Sequence, residues 1–368
     1  MPNTHQSQIN LKSLRDQINA ELARFSATEG AHILAMGPEL QESVAALSRF
    51  VLDSGKRLRP LFSLIGVIAA GEEITPAHIK ASVALEYLHV CALIHDDLMD
   101  QSDTRRGELA IHKYFESHHK NSSLEGSAPL YGLSAAVLLG DLALVLSDKA
   151  LHESGIGLEA LVRVNRIFDE MRIELMAGQF LDVHEQTLKH RSRERALRIA
   201  TYKSGKYSIE RPLHFGVALV SAGSQQETLN EVLSSYGIPL GQAFQLRDDL
   251  LGVFGDPAQT GKPAGDDLRE GKRTLLIAQA LNSLEEGEHA DIQAHDYLES
   301  RLGNRDLSDE EIDRMREIII TSGAQHDVEE TIQQLSELAH SALLHQSLSN
   351  SGKLALEEMI TMVTVRNA

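Results

Sequence analysis

The sequence predicts an all-α fold, a single large helical bundle, and three observations carry that prediction. Hydrophobic residues make up 42% of the chain but aromatic ones only 4%, with Ala and Leu prominent. That balance suits helix interiors better than sheets rich in β-branched and aromatic residues. Apolar residues recur at helical spacing almost from end to end, beginning with Leu11, Leu14, Ile18 and Leu22, and no alternating strand pattern competes with them.

Helices are accordingly expected near residues 36–52, 59–70, 76–100, 128–151, 157–188, 194–221, 227–254, 272–283, 308–321 and 325–363. The breaks between them are short and polar. Ser117–Ser127 and Leu284–Asp306 read as surface excursions rather than domain linkers, and there is no repeat or low-complexity tract. One domain over residues 1–368 follows, with residues 1–10 as a flexible N-terminus. The helix near 76–100 is the best defined, because Thr75 supplies an N-cap and Pro76 a first-turn proline. Its stretch Ala81–Ile94 is apolar nearly all round and is expected to be buried.

Among 368 residues, 35 basic side chains face 53 acidic ones, a formal charge of −18 that repels nucleic acid and anionic membranes. Any phosphate site is then a local exception, which gives weight to the clusters Lys56-Arg57-Leu58-Arg59 and Arg105-Arg106. The single cysteine, Cys91, sits in an apolar run and excludes an internal disulfide. The N-terminal residues have neither an apolar signal core nor the look of a transit peptide, so a cytoplasmic location is expected. The uncharged stretch Gly126–Gly140 is shorter than the roughly 18 residues of a membrane helix, and no membrane span is expected.

The helix near 76–100 ends in Asp96-Asp97-Leu98-Met99-Asp100, where the macrodipole disfavours negative charge. Asp96 and Asp100 share a face one turn apart, with Asp97 one step round. A hard divalent cation, Mg²⁺, bridging those oxygens to a diphosphate accounts for the arrangement; a solvated acidic helix end is the plainer alternative. About 150 residues later another apolar helix ends in Arg247-Asp248-Asp249-Leu250-Leu251. Two such helices facing each other could hold a diphosphate between metal ions on both walls. Lys56, Arg59, Arg105, Arg106, Lys203, Lys262 and Lys272 are the candidate cations of the cage.

Five segments in order resemble the trans-isoprenyl diphosphate synthases, the polyprenyl synthetase family. They are Gly55-Lys56-Arg57-Leu58-Arg59-Pro60; Asp96 to Asp100 with Asp103-Thr104-Arg105-Arg106-Gly107; Gly178-Gln179-Phe180-Leu181-Asp182; Lys203-Ser204; and Phe244-Gln245 leading to Asp248-Asp249. The resemblance implies the isoprenoid synthase bundle with a deep central cavity. As substrates it implies isopentenyl diphosphate and an allylic partner, dimethylallyl, geranyl or farnesyl diphosphate. It implies Lys56, Arg59, His89 and Arg106 on the isopentenyl diphosphate, without metal. It implies Asp96, Asp100 and Asp248 on Mg²⁺, three ions per site, against the allylic diphosphate. Arg105, Lys203, Lys262 and Lys272 assist there, with Gln179, Asp182, Ser204 and Gln245 on the same wall and Asp97 beside the reacting groups. His95 is expected to orient a neighbour. A homodimer is implied as well.

By the same resemblance, residues one turn upstream of Asp96 set the floor of the chain-elongation pocket. Cys91 and Ala92 are small, and Leu88, with Leu85 and Tyr87 nearby, closes the pocket deeper, which implies geranylgeranyl diphosphate as the main product. The chain departs from the family at Gly252, where the last aspartate of the second motif is expected; Asp256 lies two turns on, too far to replace it. That departure keeps a class I terpene cyclase and a non-catalytic partner subunit as alternatives. Lys56, Arg59 and Arg106 argue against the first, and the intact first aspartate cluster against the second.

Overall fold

The computed structural model describes residues 9–53, 55–188, 192–256, 265–286 and 289–364. Most of the expected flexible N-terminus, and Lys262, therefore lie outside the described residues. The helices are α1 (Leu11–Leu34), α2 (Gln41–Leu52), α3 (Leu58–Ala69), α4 (Pro76–Met99), α5 (Ile111–Asn121), α6 (Ala128–His152), α7 (Leu158–Glu185) and α8 (Arg193–Ile199). A π-helical segment, Ala200–Glu210, leads into α9 (Arg211–Val220) and α10 (Gly223–Phe254). Then come α11 (Asp266–Glu270), α12 (Leu275–Glu285), α13 (Ile292–Arg301), α14 (Asp309–Thr321), α15 (Ala324–Ala342) and α16 (Asn350–Thr364). The all-α expectation holds.

The chain divides into two compact units. One comprises Met1–Ile167, Pro212–Asn230 and Gln346–Ala355. Its centre is α3, buried along its whole length, and α4, where Ala81 to Leu88, Val90, Cys91 and Ile94 are buried as the apolar run requires. Thr75 caps α4 as expected: its Oγ1 accepts from the His78 amide, and His78 Nδ1 accepts from the Thr75 amide, a capping box with histidine in the usual Glu place. The second unit comprises Phe168–Arg211, Glu231–His345 and Leu356–Ala368. Leu246, Leu250 and Val253 of α10 share its core with Leu268, Leu276, Leu281, Met315 and Ile319.

Two local expectations are corrected, and one unexpected element is added. Residues 104–109 form a hairpin of two-residue strands, Thr104 opposite Leu109 and Arg105 opposite Glu108. Its two-residue turn has Arg106 at φ 55° and Gly107 at φ 81°, the type I′ pattern that matches strand twist. Ser117–Asn121 belongs to α5, and α13 lies inside the stretch expected to be a loop at Leu284–Asp306. Beyond Glu116 the residues of α5 are Ser, His, Lys and Asn, and α13 buries only Leu298, so hydrophobic periodicity carries little trace of either stretch. The uncharged run Gly126–Gly140 continues through Asp141 into the rest of α6. Helices α4 and α6 are each long and apolar enough to cross a membrane by length and composition, with 61% and 39% of the apolar window buried inside the protein.

Candidate active site

The first unit carries a cationic cluster built on Gly55-Lys56-Arg57-Leu58-Arg59. Arg57 adopts the left-handed conformation at the N-cap of α3 and is buried. Its guanidinium binds Glu86 Oε1 of α4 at 2.6 Å, Asn19 Oδ1 at 2.8 Å and the Asp53 carbonyl at 2.9 Å. Removing one partner of so buried a pair costs about 3–5 kcal/mol, so Arg57 is the anchor of the loop. With Arg57 turned inward, Lys56 stands exposed and Arg59 is placed in the first turn of α3, whose free amide hydrogens favour an anion.

His89 of α4 sits in the field of these charges. Burial holds its pKa well below the usual imidazole range, and Arg59, Arg106, Arg105 and Arg57 lower it further. A neutral histidine among four guanidinium groups is a donor set for an anion. Arg106 reaches the cluster from the apex of the hairpin, where burial lowers its pKa while Glu86 opposes the shift.

At the end of α4 the three aspartates divide their roles. Asp96 is half-buried, Asp100 is the C-cap residue, and Asp97 is fully buried. Arg105 donates through Nε to Asp97 Oδ1 at 2.8 Å, makes a second contact to it through Nη2, and stands 3.6 Å from Asp96 Oδ2. Asp97 thus holds Arg105 beside the Asp96 carboxylate. His95 lies 3.3 Å from the Val137 carbonyl and 3.7 Å from Asp141 of α6, and its ring fills the space beside Gly140. That contact fixes the α4 end against α6, in keeping with an orienting role.

The second unit gathers the other candidates. Gly178 of α7 lets the π-helical segment approach, since a side chain there would run into the backbone of Tyr202 and Lys203. Lys203 Nζ then reaches Asp182 Oδ2 of α7 at 2.6 Å, with Ser204 next to it. π-helical turns are rare and concentrate at functional sites. On α10, Gln245 donates to Asp249 Oδ1 at 2.7 Å, and Asp248 is half-buried beside them. Burial and the neighbouring Asp267 push the Asp249 carboxyl up to about 8. Lys272 lies 3.0 Å from Asp267 Oδ1 and 2.8 Å from Glu270 Oε2.

Asp267 and Glu86 carry no signal in the sequence. Only folding brings Asp267 against α10 and Glu86 against Arg57. The donor set fits Mg²⁺. Among the described residues no three His, Cys, Asp or Glu side chains converge to cage an ion by themselves. Mg²⁺ characteristically takes one or two carboxylates and completes its shell with water and phosphate oxygens. Asp96 and Asp100 at the end of α4, and Asp248 on α10, offer hard oxygens in that number.

The environment of His89 sets a pH dependence. Its folded pKa lies below the ordinary value of about 6.5, so its contribution to stability is complete above that pH and is lost as pH falls below it. An anion among these arginines should reverse the shift. Proton NMR titration of the His89 ring should therefore show a depressed pKa that rises when inorganic pyrophosphate is added; an ordinary pKa insensitive to pyrophosphate would contradict this electrostatic picture.

Comparison with known proteins shows the family. Residues 41–319 match the polyprenyl synthetase family. A geranylfarnesyl diphosphate synthase of Aeropyrum pernix is 32% identical over 274 residues, 73% of this chain and 77% of its own length. A geranylgeranyl diphosphate synthase of Sulfolobus acidocaldarius is 32% identical over 270 residues, 72% of this chain and 73% of its own. The crystal structure of a geranylgeranyl pyrophosphate synthase from Corynebacterium glutamicum, complexed with isoprenyl diphosphate and magnesium, is 37% identical. It superimposes with a TM-score of 0.92 over 98% of this chain and 100% of that one. With its cationic cluster, its two aspartate helices and a match running from α2 into α14, the chain belongs to the polyprenyl synthetase family.

Proposed function

We propose that the chain is a trans-prenyl diphosphate synthase that condenses isopentenyl diphosphate with an allylic diphosphate and makes mainly geranylgeranyl diphosphate. The observation that carries the reading is the grouping of Arg57, Arg59, Arg105 and Arg106 around His89, on the same helix that ends in Asp96 and Asp100. A cyclase, which uses one diphosphate, has no need of that second grip.

Mg²⁺, proposed as three ions held by Asp96, Asp100 and Asp248, supplies positive charge to the allylic diphosphate when bound. Arg105, steadied by Asp97, and Lys203, steadied by Asp182, add charge that is already oriented before substrate arrives. Lys262, Lys272, Gln179, Ser204 and Gln245 are assigned to the same diphosphate. The allylic C–O bond breaks with its electron pair going to the departing diphosphate. The double bond of isopentenyl diphosphate, held by Lys56, Arg59, His89 and Arg106, attacks the allylic carbon, and the new cation loses a proton to the released pyrophosphate. Asp96→Ala or Asp248→Ala should lower kcat by about 100-fold or more without unfolding the protein. Lys56→Ala and Arg59→Ala should raise KM for isopentenyl diphosphate far more than for the allylic substrate. Steady-state kinetics with both substrates tests this, and a cyclic hydrocarbon from the allylic diphosphate alone would sink the synthase reading.

Product length is assigned to α4. Leu88 and Cys91 are fully buried on that helix and Ala92 is half-buried. The relatives named above differ on this point, one being named for geranylgeranyl and one for the longer geranylfarnesyl diphosphate. Ala92→Phe or Cys91→Phe should shorten the product and Leu88→Ala lengthen it, read by chromatography of the dephosphorylated chains. An unchanged distribution in both bulky variants places the floor elsewhere.

The proposal includes a soluble cytoplasmic homodimer, in line with a single buried cysteine and the acidic charge. Helix α6 exposes Leu130, Leu138 and Val145 at 61%, 67% and 62%, apolar side chains spread over about four turns that a second copy would cover. Sedimentation at micromolar concentration should give the dimer mass, and Leu138→Asp should dissociate it. A fully active wild-type monomer, or wild-type protein that pellets with lipid vesicles instead, overturns this assignment.

A further inference from the structure

Within the second unit, the π-helical segment Ala200–Glu210 runs antiparallel to both α7 and α10, and its backbone touches each of them. A Cβ on Gly178 of α7 would stand 2.7 Å from the Tyr202 carbonyl carbon and 2.8 Å from Lys203 Cα. One on Gly241 of α10 would stand 2.6 Å from the Gly205 carbonyl oxygen, and one on Gly237 2.8 Å from Glu210 Cα. These neighbours are backbone atoms, which cannot turn aside as the end of a side chain can. Glycine on both flanks lets the segment sit this deep.

Its position along its own axis is fixed by a line of ion pairs on α7. Residues 182, 178, 174 and 170 follow one another at four-residue spacing, so each neighbours the next on one side of that helix. They meet the segment in reverse order. Lys203 binds Asp182, Gly178 faces Tyr202 and Lys203, Lys206 Nζ binds Glu174 Oε1 at 2.7 Å, and Arg211 binds both Glu174 and Glu170. Arg211 grips Glu174 twice, at 2.6 Å to Oε2 and 2.7 Å to Oε1. On the other flank Ser234 of α10 donates to the buried Glu210 at 2.6 Å, and Lys206 stands 3.7 Å from the same carboxylate. Burial pushes the Glu174 carboxyl up, but the bonds from Arg211 and Lys206 outweigh it and hold the group below the usual carboxylate range. Glu174 lies two turns before Asp182, about 12 Å along the helix, so Lys206 and Lys203 engage α7 at separate levels.

We propose that Lys206 and Glu174 are positioning residues: their ion pair sets the axial register of the π-helical segment so that Lys203 arrives at Asp182 with its ammonium aimed at the allylic diphosphate. This role deepens the synthase reading and rests on it for the identity of that diphosphate, while the geometry belongs to the second unit alone.

A purely structural ion pair and a positioning one differ in what their loss does once Lys203 is gone. Lys206→Met and Glu174→Gln should each lower kcat/KM for the allylic substrate by about tenfold or more, as a small misplacement of a group at the reacting centre does. KM for isopentenyl diphosphate should move little. Lys206→Arg, which keeps a cation opposite Glu174, should restore most of the loss. In a Lys203→Ala background the same Lys206→Met change should matter by less than about twofold, since nothing remains for the pair to aim.

Affinity for inorganic pyrophosphate with Mg²⁺, read by titration calorimetry, gives the same cycle without turnover. It should fall about tenfold in Lys206→Met and change little where Lys203 is already replaced by Ala. If circular dichroism shows Lys206→Met unfolded, Glu174→Gln carries the comparison in both backgrounds. Equal losses with and without Lys203, or wild-type kinetics in folded Lys206→Met, overturn the proposal. A wild-type enzyme that binds pyrophosphate but forms no condensation product overturns the synthase reading instead, and the calorimetric cycle still decides the coupling.

Discussion

Gathering carboxylates at the C-terminal ends of apolar helices is unfavourable twice over in this protein, through their mutual repulsion and through the helix macrodipole. The dipole costs about 0.3–1 kcal/mol per charge, whereas two like charges 4 Å apart repel by about 4 kcal/mol at the effective dielectric near a protein surface. Repulsion dominates, and the neighbourhood answers it with cations and with protons. Arg105 is drawn onto Asp97, Lys203 onto Asp182 and Lys272 onto Asp267. Asp249, buried beside Asp267, is pushed up to about 8.

The cationic cluster follows the opposite logic. Arg57, Arg59, Arg105 and Arg106 surround His89, and the histidine responds by remaining neutral. Arg57 is neutralised by the buried Glu86 and Arg105 by the buried Asp97, so the loop and the hairpin are fixed by their own ion pairs before any ligand arrives. Within the first unit, the aspartates at the end of α4 and the arginines around His89 thus present charge of opposite sign. A polyanion bound with Mg²⁺ adds compensating charge to both, which is why ligand affinity and stability are expected to rise together.

Much of this was legible in the sequence where one helix held the information. The cap at Thr75, the apolar run to Ile94 and the aspartates after it predicted α4 almost to the residue. The hairpin at residues 104–109 was invisible because two-residue strands leave no alternation to detect. The end of α5 beyond residue 117, and α13, left little trace because they are polar and nearly unburied, stabilised by their ends and neighbours. Asp267 lay out of reach for another reason: its place beside α10 exists only once α11 folds against that helix. Spacing rules see one turn along a helix and nothing across it.

The π-helical segment Ala200–Glu210 bears on how the chain can change in length. Its hydrogen bonds close over five residues rather than four, so it stores more residues per turn than the α-helices on either side. Loss of one residue from an ordinary helix rotates everything downstream by about 100° and scrambles its buried face. Loss of one residue here can be absorbed by tightening the wide turn, with α8 and α9 keeping their own buried faces. What changes is the aim of Lys203 and Ser204. A change in length in this stretch is thus read out as altered chemistry before it is felt as a loss of fold.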